Sequence, residues 1–139
     1  MYLFDSDVLS RLAKKRRPEI LMTKLAGTPL AAQFTSAVNV AEIYYGIFRM
    51  KGEETHQERL LEFFGGQVFP RLTILPFDEE SALTYGRLKA SLERKGRPQF
   101  EPDLQIAAIA MRHRLTVVTG NTRHFAGITG LKVENWLAL

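Results

Sequence analysis

The sequence predicts an α/β fold in which a mostly parallel sheet is flanked by helices. Three observations support this prediction. Short apolar runs alternate with longer amphipathic stretches along the chain, as they do in βαβ units. The run at 115–119 is apolar and rich in β-branched residues, which is typical of a central parallel strand. The stretch at 104–111 is apolar nearly all round, which predicts a buried helix.

Five short apolar runs predict the strands of this sheet. In chain order they cover 2–4, 33–38, 72–75, 115–119 and 131–133. Pro76 ends the third run, because proline cannot donate to a sheet ladder. We expect the last run to form an edge strand.

Helical spacing and local start or stop residues predict helices between these strands. The first helix begins near Val8, and the others cover 19–26, 39–50, 54–64, 78–95 and 103–111. Pro18 suits a helix start, Asn39 reads as an N-cap, and Gly65-Gly66 is expected to end the fourth helix. A loop is predicted at 96–102.

Length and composition limit the class of protein. The 139 residues are expected to form one domain, 1–139, and no apolar run reaches the ~20 residues that cross a bilayer. Two aspartates interrupt the N-terminal apolar segment, which therefore does not resemble a signal peptide. The absence of cysteine excludes disulfides and thiolate metal sites and suits a cytoplasmic protein. An excess of 19 basic over 15 acidic residues favours an anionic partner.

Four oxygen-bearing side chains occupy equivalent places in the predicted topology. Asp5 follows the first strand, Glu42 lies early in the helix after the second, Asp103 opens the buried helix, and Asn121 follows the strand that ends at Thr119. The carboxyl ends of parallel strands meet at one edge of a sheet, where open α/β folds bind ligands. Because Mg²⁺ and Mn²⁺ prefer oxygen ligands, the pattern predicts a divalent-cation site.

Each of these residues also has a local alternative, and for Asp5, as for Asp7, it is a helix cap. Glu42 can complete a capping box with Asn39, and Asp103 can stabilise a helix N-terminus. Asn121 can be an ordinary turn residue. Asp7 is interpreted mainly as a helix cap that adds negative charge near the site. The coincidence of four such residues at one edge favours the metal site.

Several motifs, in this order and spacing, carry a resemblance to a known family. They are "YLFDSDVLS", "TSAVNVAEIYYGI", "LTILPFDEESA", "PDLQIAAIAMRHRLTVVTGNTRHF" and "VENW". Together they resemble PIN-domain ribonucleases, and especially the VapC-type toxins of bacterial toxin–antitoxin pairs, with the similar FitB branch. The resemblance implies a three-layer sandwich and a Mg²⁺- or Mn²⁺-dependent endoribonuclease, acting on a structured RNA such as tRNA. It also implies a homodimer and a VapB-like antitoxin that packs over the acidic site.

The resemblance assigns the site residues one by one. Asp5, Glu42 and Asp103 take the places of the family's three acids, which implies catalytic and metal-binding roles. Asn121 matches the fourth metal-binding position.

Two further residues match supporting positions, and two depart from the pattern. Thr119 matches a hydroxyl residue that supports the site, and Ser6 occupies a place commonly held by Thr or Ser. The family usually has Asn where this chain has Asp7, and many relatives have an acid where it has His124.

Other features admit further interpretations. Arg97, Arg123 and His124 are candidate RNA contacts, since basic side chains bind the phosphate backbone. The aromatic residues Tyr45 and Phe48 are expected in the core or in dimer contacts. A catalytically weak binding module that acts through its antitoxin complex is the alternative function. A dehalogenase-type phosphatase is excluded, because its downstream lysine and acidic pair do not fit the residues after 119.

Overall fold

A five-stranded parallel sheet forms the centre of the protein. The computed structural model describes residues 1–97 and 101–137. Its strands are β1 (Tyr2–Phe4), β2 (Gln33–Ser36), β3 (Thr73–Leu75), β4 (Thr116–Val118) and β5 (Val133–Glu134). They lie in the order β3-β2-β1-β4-β5, and every pairing is parallel. The α/β prediction is therefore confirmed.

In the described part of the chain, six α-helices flank the sheet. They are α1 (Ser6–Arg11), α2 (Glu19–Ala26), α3 (Ala37–Phe48), α4 (Glu54–Glu62), α5 (Glu79–Arg94) and α6 (Glu101–Arg112). Short 3-10 turns lie at Leu30–Ala32, Phe69–Arg71 and Thr122–Phe125, and a π-helical segment covers Phe63–Val68. Within 1–97 and 101–137, none of the helices has both the length and the apolar character that crossing a bilayer requires.

The two faces of the sheet carry separate hydrophobic cores, as the alternation of side chains along a strand requires. On β1, Leu3 packs into a core that α5 and α6 share, which we call the first core. Phe4 packs into a core formed with α1, α2 and α3, which we call the second core. In α6, Ile106 and Ile109 are fully buried, which confirms the predicted buried helix. The result is a three-layer sandwich with β1 in the middle.

Helix α3 begins earlier than the sequence predicts. The strand predicted over 33–38 ends at Ser36, which is the N-cap of α3. The Ser36 hydroxyl accepts a hydrogen bond from the Asn39 backbone N–H at 3.1 Å. The prediction of Asn39 as the N-cap was wrong. Serine and asparagine are both favoured at an N-cap, and here Ser36 occupies that position while Asn39 lies in the first turn of the helix.

The glycine pair does not end the fourth helix, contrary to prediction. Winding continues after α4 as the π-helical segment 63–68, which the buried side chains of Phe64 and Phe69 hold against the second core. Gly65 permits a close approach there, since a Cβ atom at this position would lie 3.3 Å from the Tyr44 hydroxyl.

Smaller differences concern element ends. The predicted loop 96–102 lies partly outside the described residues, and Glu101 and Pro102 already belong to α6. Strand β5 is displaced to Val133–Glu134 but lies at the sheet edge, as expected.

Candidate active site

The candidate site lies where β1 ends, at the point where the strand order reverses. Strand β1 is flanked by β2 on one side and β4 on the other, and such a switch point opens a crevice at the carboxyl ends of the strands. Asp5, directly after β1, is the N-cap of α1, and its Oδ1 accepts from the Ser6 backbone N–H at 2.9 Å. The fold thereby fixes the Asp5 carboxylate at the floor of this crevice.

Both carboxylate oxygens of Asp5 accept hydrogen bonds from side chains. Oδ1 accepts from Asn39 Nδ2 at 2.9 Å, and Oδ2 accepts from the Thr119 hydroxyl at 2.8 Å. Burial raises the pKa of Asp5, the Thr119 hydrogen bond opposes this change, and the charge of Asp7 adds to it. Thr119 therefore donates a hydrogen bond directly to the carboxylate of Asp5.

Ser6 links Asp5's surroundings to Glu42. The Ser6 hydroxyl donates to Glu42 Oε1 at 2.7 Å and accepts from Asn39 Nδ2 at 3.0 Å. Burial raises the pKa of Glu42, the hydrogen bond from Ser6 lowers it, and the charges of Asp5 and Asp7 raise it further.

The capping-box alternative for Glu42 is wrong. Asn39, the third helical residue of α3, forms the capping box with Ser36 instead. Glu42 is left to face Ser6 and the site.

Asp103 differs from the other two acids in its hydrogen bonding. It lies in the first turn of α6 and is buried, yet its Oδ2 has no hydrogen-bond partner among the described residues. His124 Nδ1 lies 3.1 Å from that oxygen, but without the direction of a hydrogen bond. Burial raises the pKa of Asp103 to about 6, with a further increase from Asp5 and Glu42 and an opposing effect of His124. The three predicted carboxylates therefore share one electrostatic environment.

Asp7 connects α1 to the loop after β4. Its Oδ2 accepts from the Gly120 backbone N–H at 2.8 Å and from Asn121 Nδ2 at 3.2 Å, and its Oδ1 lies 3.3 Å from the Thr119 hydroxyl. The interpretation of Asp7 as a helix cap was wrong, because Asp5 takes that position one residue before the helix starts. Asn121 contacts this corner of the site through its amide nitrogen.

Two residues of the site were not predicted from the sequence. Asn39 donates to Asp5 and Ser6, and its spacing of three residues from Glu42, on one helix face, could have indicated this role. Gly120 lies so close to Asp7 that a Cβ atom would be 2.8 Å from its Oδ2. No local pattern in the sequence indicates that contact.

The predicted RNA contacts lie at the surface. Arg97 is exposed just after α5, and Arg123 is exposed in the turn that carries His124. Among residues 1–97 and 101–137, no ion pair joins either arginine to a carboxylate. Both guanidinium groups can therefore contact an anionic ligand.

The donor set fits a hard cation that keeps part of its water. In the described part of the chain, no three acidic or histidine side chains converge closely enough to ligate one ion together. Mg²⁺ usually binds through one or two carboxylates and retains several waters. Asp103 Oδ2, which is buried and has no hydrogen-bond partner among the described residues, would suit a ligand position of that kind.

Comparisons with known proteins agree with this geometry. The family model described as "PIN domain" matches residues 2–131. Ribonuclease VapC2 of Haemophilus influenzae is 32% identical over 138 residues, which cover 98% of each chain. The tRNA(fMet)-specific endonuclease VapC of Salmonella typhimurium is 33% identical over 101 residues, or 73% of each chain.

A solved structure matches the whole fold. The crystal structure of FitAcB from Neisseria gonorrhoeae aligns with a TM-score of 0.90 and 29% identity and covers 100% of both chains. With the family model and the relatives above, this likeness shows that the chain belongs to the PIN-domain family and to its VapC-type branch.

Proposed function

We propose that this chain is a metal-dependent endoribonuclease and the toxin component of a toxin–antitoxin pair. The observation that carries the proposal is the group of Asp5, Glu42 and Asp103 at one sheet edge, where burial and neighbouring carboxylate charges raise the pKa of each acid. A bound cation would offset the electrostatic repulsion within such a cluster of acids. The relatives named ribonuclease and tRNA-specific endonuclease support RNA as the substrate, with a structured RNA such as tRNA as the first candidate.

The protein's own side chains would hold and orient the reacting groups. Asp5, Glu42 and Asp103, with Asn121, would hold Mg²⁺ or Mn²⁺, some of them directly and the others through waters that the ion retains. A bound ion of this kind lowers the pKa of an attacking water and neutralises charge on the phosphate. Ser6 orients Glu42, and Thr119 orients Asp5.

RNA binding would use the basic side chains beside the site. Arg123 is in the same turn as His124, and Arg97 follows the last residue of α5, Arg94, by three positions. Contacts with backbone phosphates dominate the affinity of proteins for nucleic acids and weaken with salt. We expect these arginines to position the RNA without reading its sequence.

An antitoxin partner is supported by the family and by a cavity. A cavity of about 390 Å³ between α1, α2 and the π-helical segment is lined mainly by apolar side chains, with Arg17 and Arg71 also lining it. It suits an apolar segment that carries acidic residues, such as part of a VapB-like antitoxin. Binding there would place the partner beside α1, the helix that follows Asp5.

A homodimer is the oligomeric state that the resemblance implies. Tyr45 and Phe48 on α3 are 67% and 63% exposed, and Leu83 on α5 is 58% exposed. Exposed apolar side chains of this size are candidates for a subunit contact. Light scattering of the purified chain would measure the oligomeric state.

The central experiment measures RNA cleavage by the purified chain freed of any antitoxin. We expect cleavage with Mg²⁺ or Mn²⁺, none with EDTA, and products with 5′-phosphate and 3′-hydroxyl ends. Glu54→Gln is a matched control, since it removes one acid from the exposed first turn of α4. Undiminished cleavage in EDTA would contradict the metal mechanism.

A further inference from the structure

We propose that His124 is a nitrogen ligand of the metal and that it shifts the preference of this site from Mg²⁺ toward Mn²⁺. The inference rests on the proposed function, because it requires the acidic site to bind a cation.

The first support is the relation between His124 and Asp103. Nδ1 of the imidazole and Oδ2 of the carboxylate are 3.1 Å apart. At this distance a hydrogen bond is expected, yet Oδ2 is buried with no hydrogen-bond partner among the described residues. The Asp103 side chain is only 9% exposed, so bulk water does not readily replace the missing donor. His124 lowers the pKa of Asp103, which opposes the effect of burial, yet no donor among the described residues is directed at Oδ2.

The second support is that this separation suits two ligands of one ion. Two donors that each lie about 2.1 Å from an octahedral ion, at right angles, are about 3.0 Å apart. The Nδ1 to Oδ2 distance in the protein is 3.1 Å. An ion placed to face both atoms would supply the partner that Oδ2 lacks.

The local structure presents the imidazole without requiring it for packing. His124 lies in the 3-10 turn Thr122–Phe125, and its backbone N–H donates to the Asn121 carbonyl at 3.0 Å. Phe125, the next residue, is buried in the first core and anchors the turn. The His124 side chain itself is 52% exposed. A substitution at position 124 is therefore expected to alter the site while the turn stays folded.

The chemical consequence is a change in metal preference. Carboxylate oxygens suit Mg²⁺ and Mn²⁺, whereas an imidazole nitrogen favours transition metals over Mg²⁺. A site with a carboxylate at position 124 would contain oxygen donors alone. With His124, one donor becomes nitrogen, and Mn²⁺ gains more affinity than Mg²⁺.

A competing explanation gives His124 the opposite effect. A protonated imidazole beside Asp103 would act as a cation itself and would compete with the metal for the carboxylate. Removal of the side chain would then strengthen metal binding. The sign of the change in affinity separates the two explanations.

The test uses the purified chain at pH 8. Dissociation constants for Mn²⁺ and Mg²⁺ are measured by calorimetry, and electron spin echo modulation of bound Mn²⁺ reports a directly coordinated ¹⁴N nucleus. The variants are His124→Ala and His124→Asp. His56→Ala is the matched control, because it removes an exposed imidazole on α4.

We expect the ¹⁴N signal in the unchanged chain and in His56→Ala, and its loss in both His124 variants. His124→Ala should weaken Mn²⁺ binding by about tenfold or more, a loss like that seen on removing groups that support metal sites. His124→Asp should lower the ratio of Mn²⁺ to Mg²⁺ affinity.

Three results would overturn the proposal in distinguishable ways. If the ¹⁴N signal is absent from the unchanged chain, or if His124→Ala binds Mn²⁺ as tightly or more tightly, His124 is not a ligand. If Asp103→Asn abolishes metal binding while the His124 variants leave both affinities unchanged, only this inference fails. If the unchanged chain cleaves RNA but binds neither ion, the proposed metal-dependent function fails as well.

Discussion

Asp5 and Asp103 are both buried acids of one site, yet their surroundings differ. Each oxygen of Asp5 accepts at least one hydrogen bond, from Ser6, Asn39 or Thr119. Asp103 Oδ2 accepts none from the described residues. The donors around Asp5 stabilise its charged form and fix its direction. Among the described residues, His124 lies 3.1 Å from Asp103 Oδ2 and favours its charged form, but burial has the larger and opposite effect.

The difference suggests a division of work between the two acids. Hydrogen bonds within the protein orient the Asp5 carboxylate, so its position does not depend on a bound ligand. Asp103 is positioned by the first turn of α6, and burial disfavours its charged form. We expect substitutions of the two acids to affect activity alike and stability differently.

The largest effect is expected from Asp5→Asn and Asp103→Asn. Each should lower cleavage at least about a hundredfold, because each removes a charge that would hold the cation. Without metal, Asp103→Asn should raise the melting temperature, because a repelled buried charge disappears. Asp5→Asn should lower stability by about 1–3 kcal/mol, because the new amide faces donors with another donor. Thermal unfolding in EDTA measures this contrast.

If both variants shift the melting temperature in the same direction, the proposed difference between the surroundings of Asp5 and Asp103 is wrong. Glu54→Gln again serves as the control and should leave activity and melting temperature unchanged. Circular dichroism of each variant checks that the fold is retained.

The second prediction concerns pH. Since the folded pKa of Asp103 is raised to about 6 from an ordinary 3.8, the folded state binds its proton more tightly than the unfolded chain does. The contribution of Asp103 to stability is therefore most favourable below about pH 4 and is lost as pH rises through 6. The metal-free stability difference between the unchanged chain and Asp103→Asn should grow over this range and level off above it.

Metal binding should show the reverse dependence. Protonation of Asp103 removes a ligand, so the Mg²⁺ affinity should fall as pH drops below about 6. Calorimetric titrations between pH 5 and 8 measure this dependence. An affinity that stays constant over that interval would contradict the assignment of Asp103 as a ligand.

A smaller effect is expected from Ser6→Ala. The Ser6 hydroxyl donates to Glu42 and accepts from Asn39, so its loss frees Glu42 to move and leaves one Asn39 contact unmade. We expect a loss of activity of about tenfold and a destabilisation of about 1 kcal/mol. Ser6→Thr keeps the hydroxyl and should retain most of the activity. Equal losses in both variants would mean that packing, and not the hydrogen bond, supports Glu42.

The smallest effect is expected from Asp7→Asn. An asparagine oxygen can still accept from the Gly120 backbone N–H, so the link between α1 and the loop after β4 is kept. The free energy of unfolding should change by less than about 1 kcal/mol. Cleavage at saturating Mg²⁺ should stay largely intact. If Asp7→Asn is as damaging as Asp5→Asn, Asp7 is itself a ligand.

The sequence predicted the sheet and the three acids because both follow from local patterns. Short apolar runs mark the strands, and acids placed after strands gather at one edge whatever the details of the loops. The roles of Asn39 and Asp7 were missed for the opposite reason. The partner of Asn39 is Asp5, 34 residues away, and that of Asp7 is Gly120, 113 residues away. Contacts over such separations depend on tertiary packing.

The hydrogen bond between Thr119 and Asp5 joins residues that are 114 positions apart. Translation therefore delivers Asp5 and Glu42 long before the strand that completes their site. In a nascent chain without β4, β1 has no paired strand on that side, and Asp5 does not receive the hydrogen bond from Thr119. We expect truncated translation products to be inactive. RNA near the translating ribosome would therefore not be cleaved by the nascent chain until most of it has been synthesised.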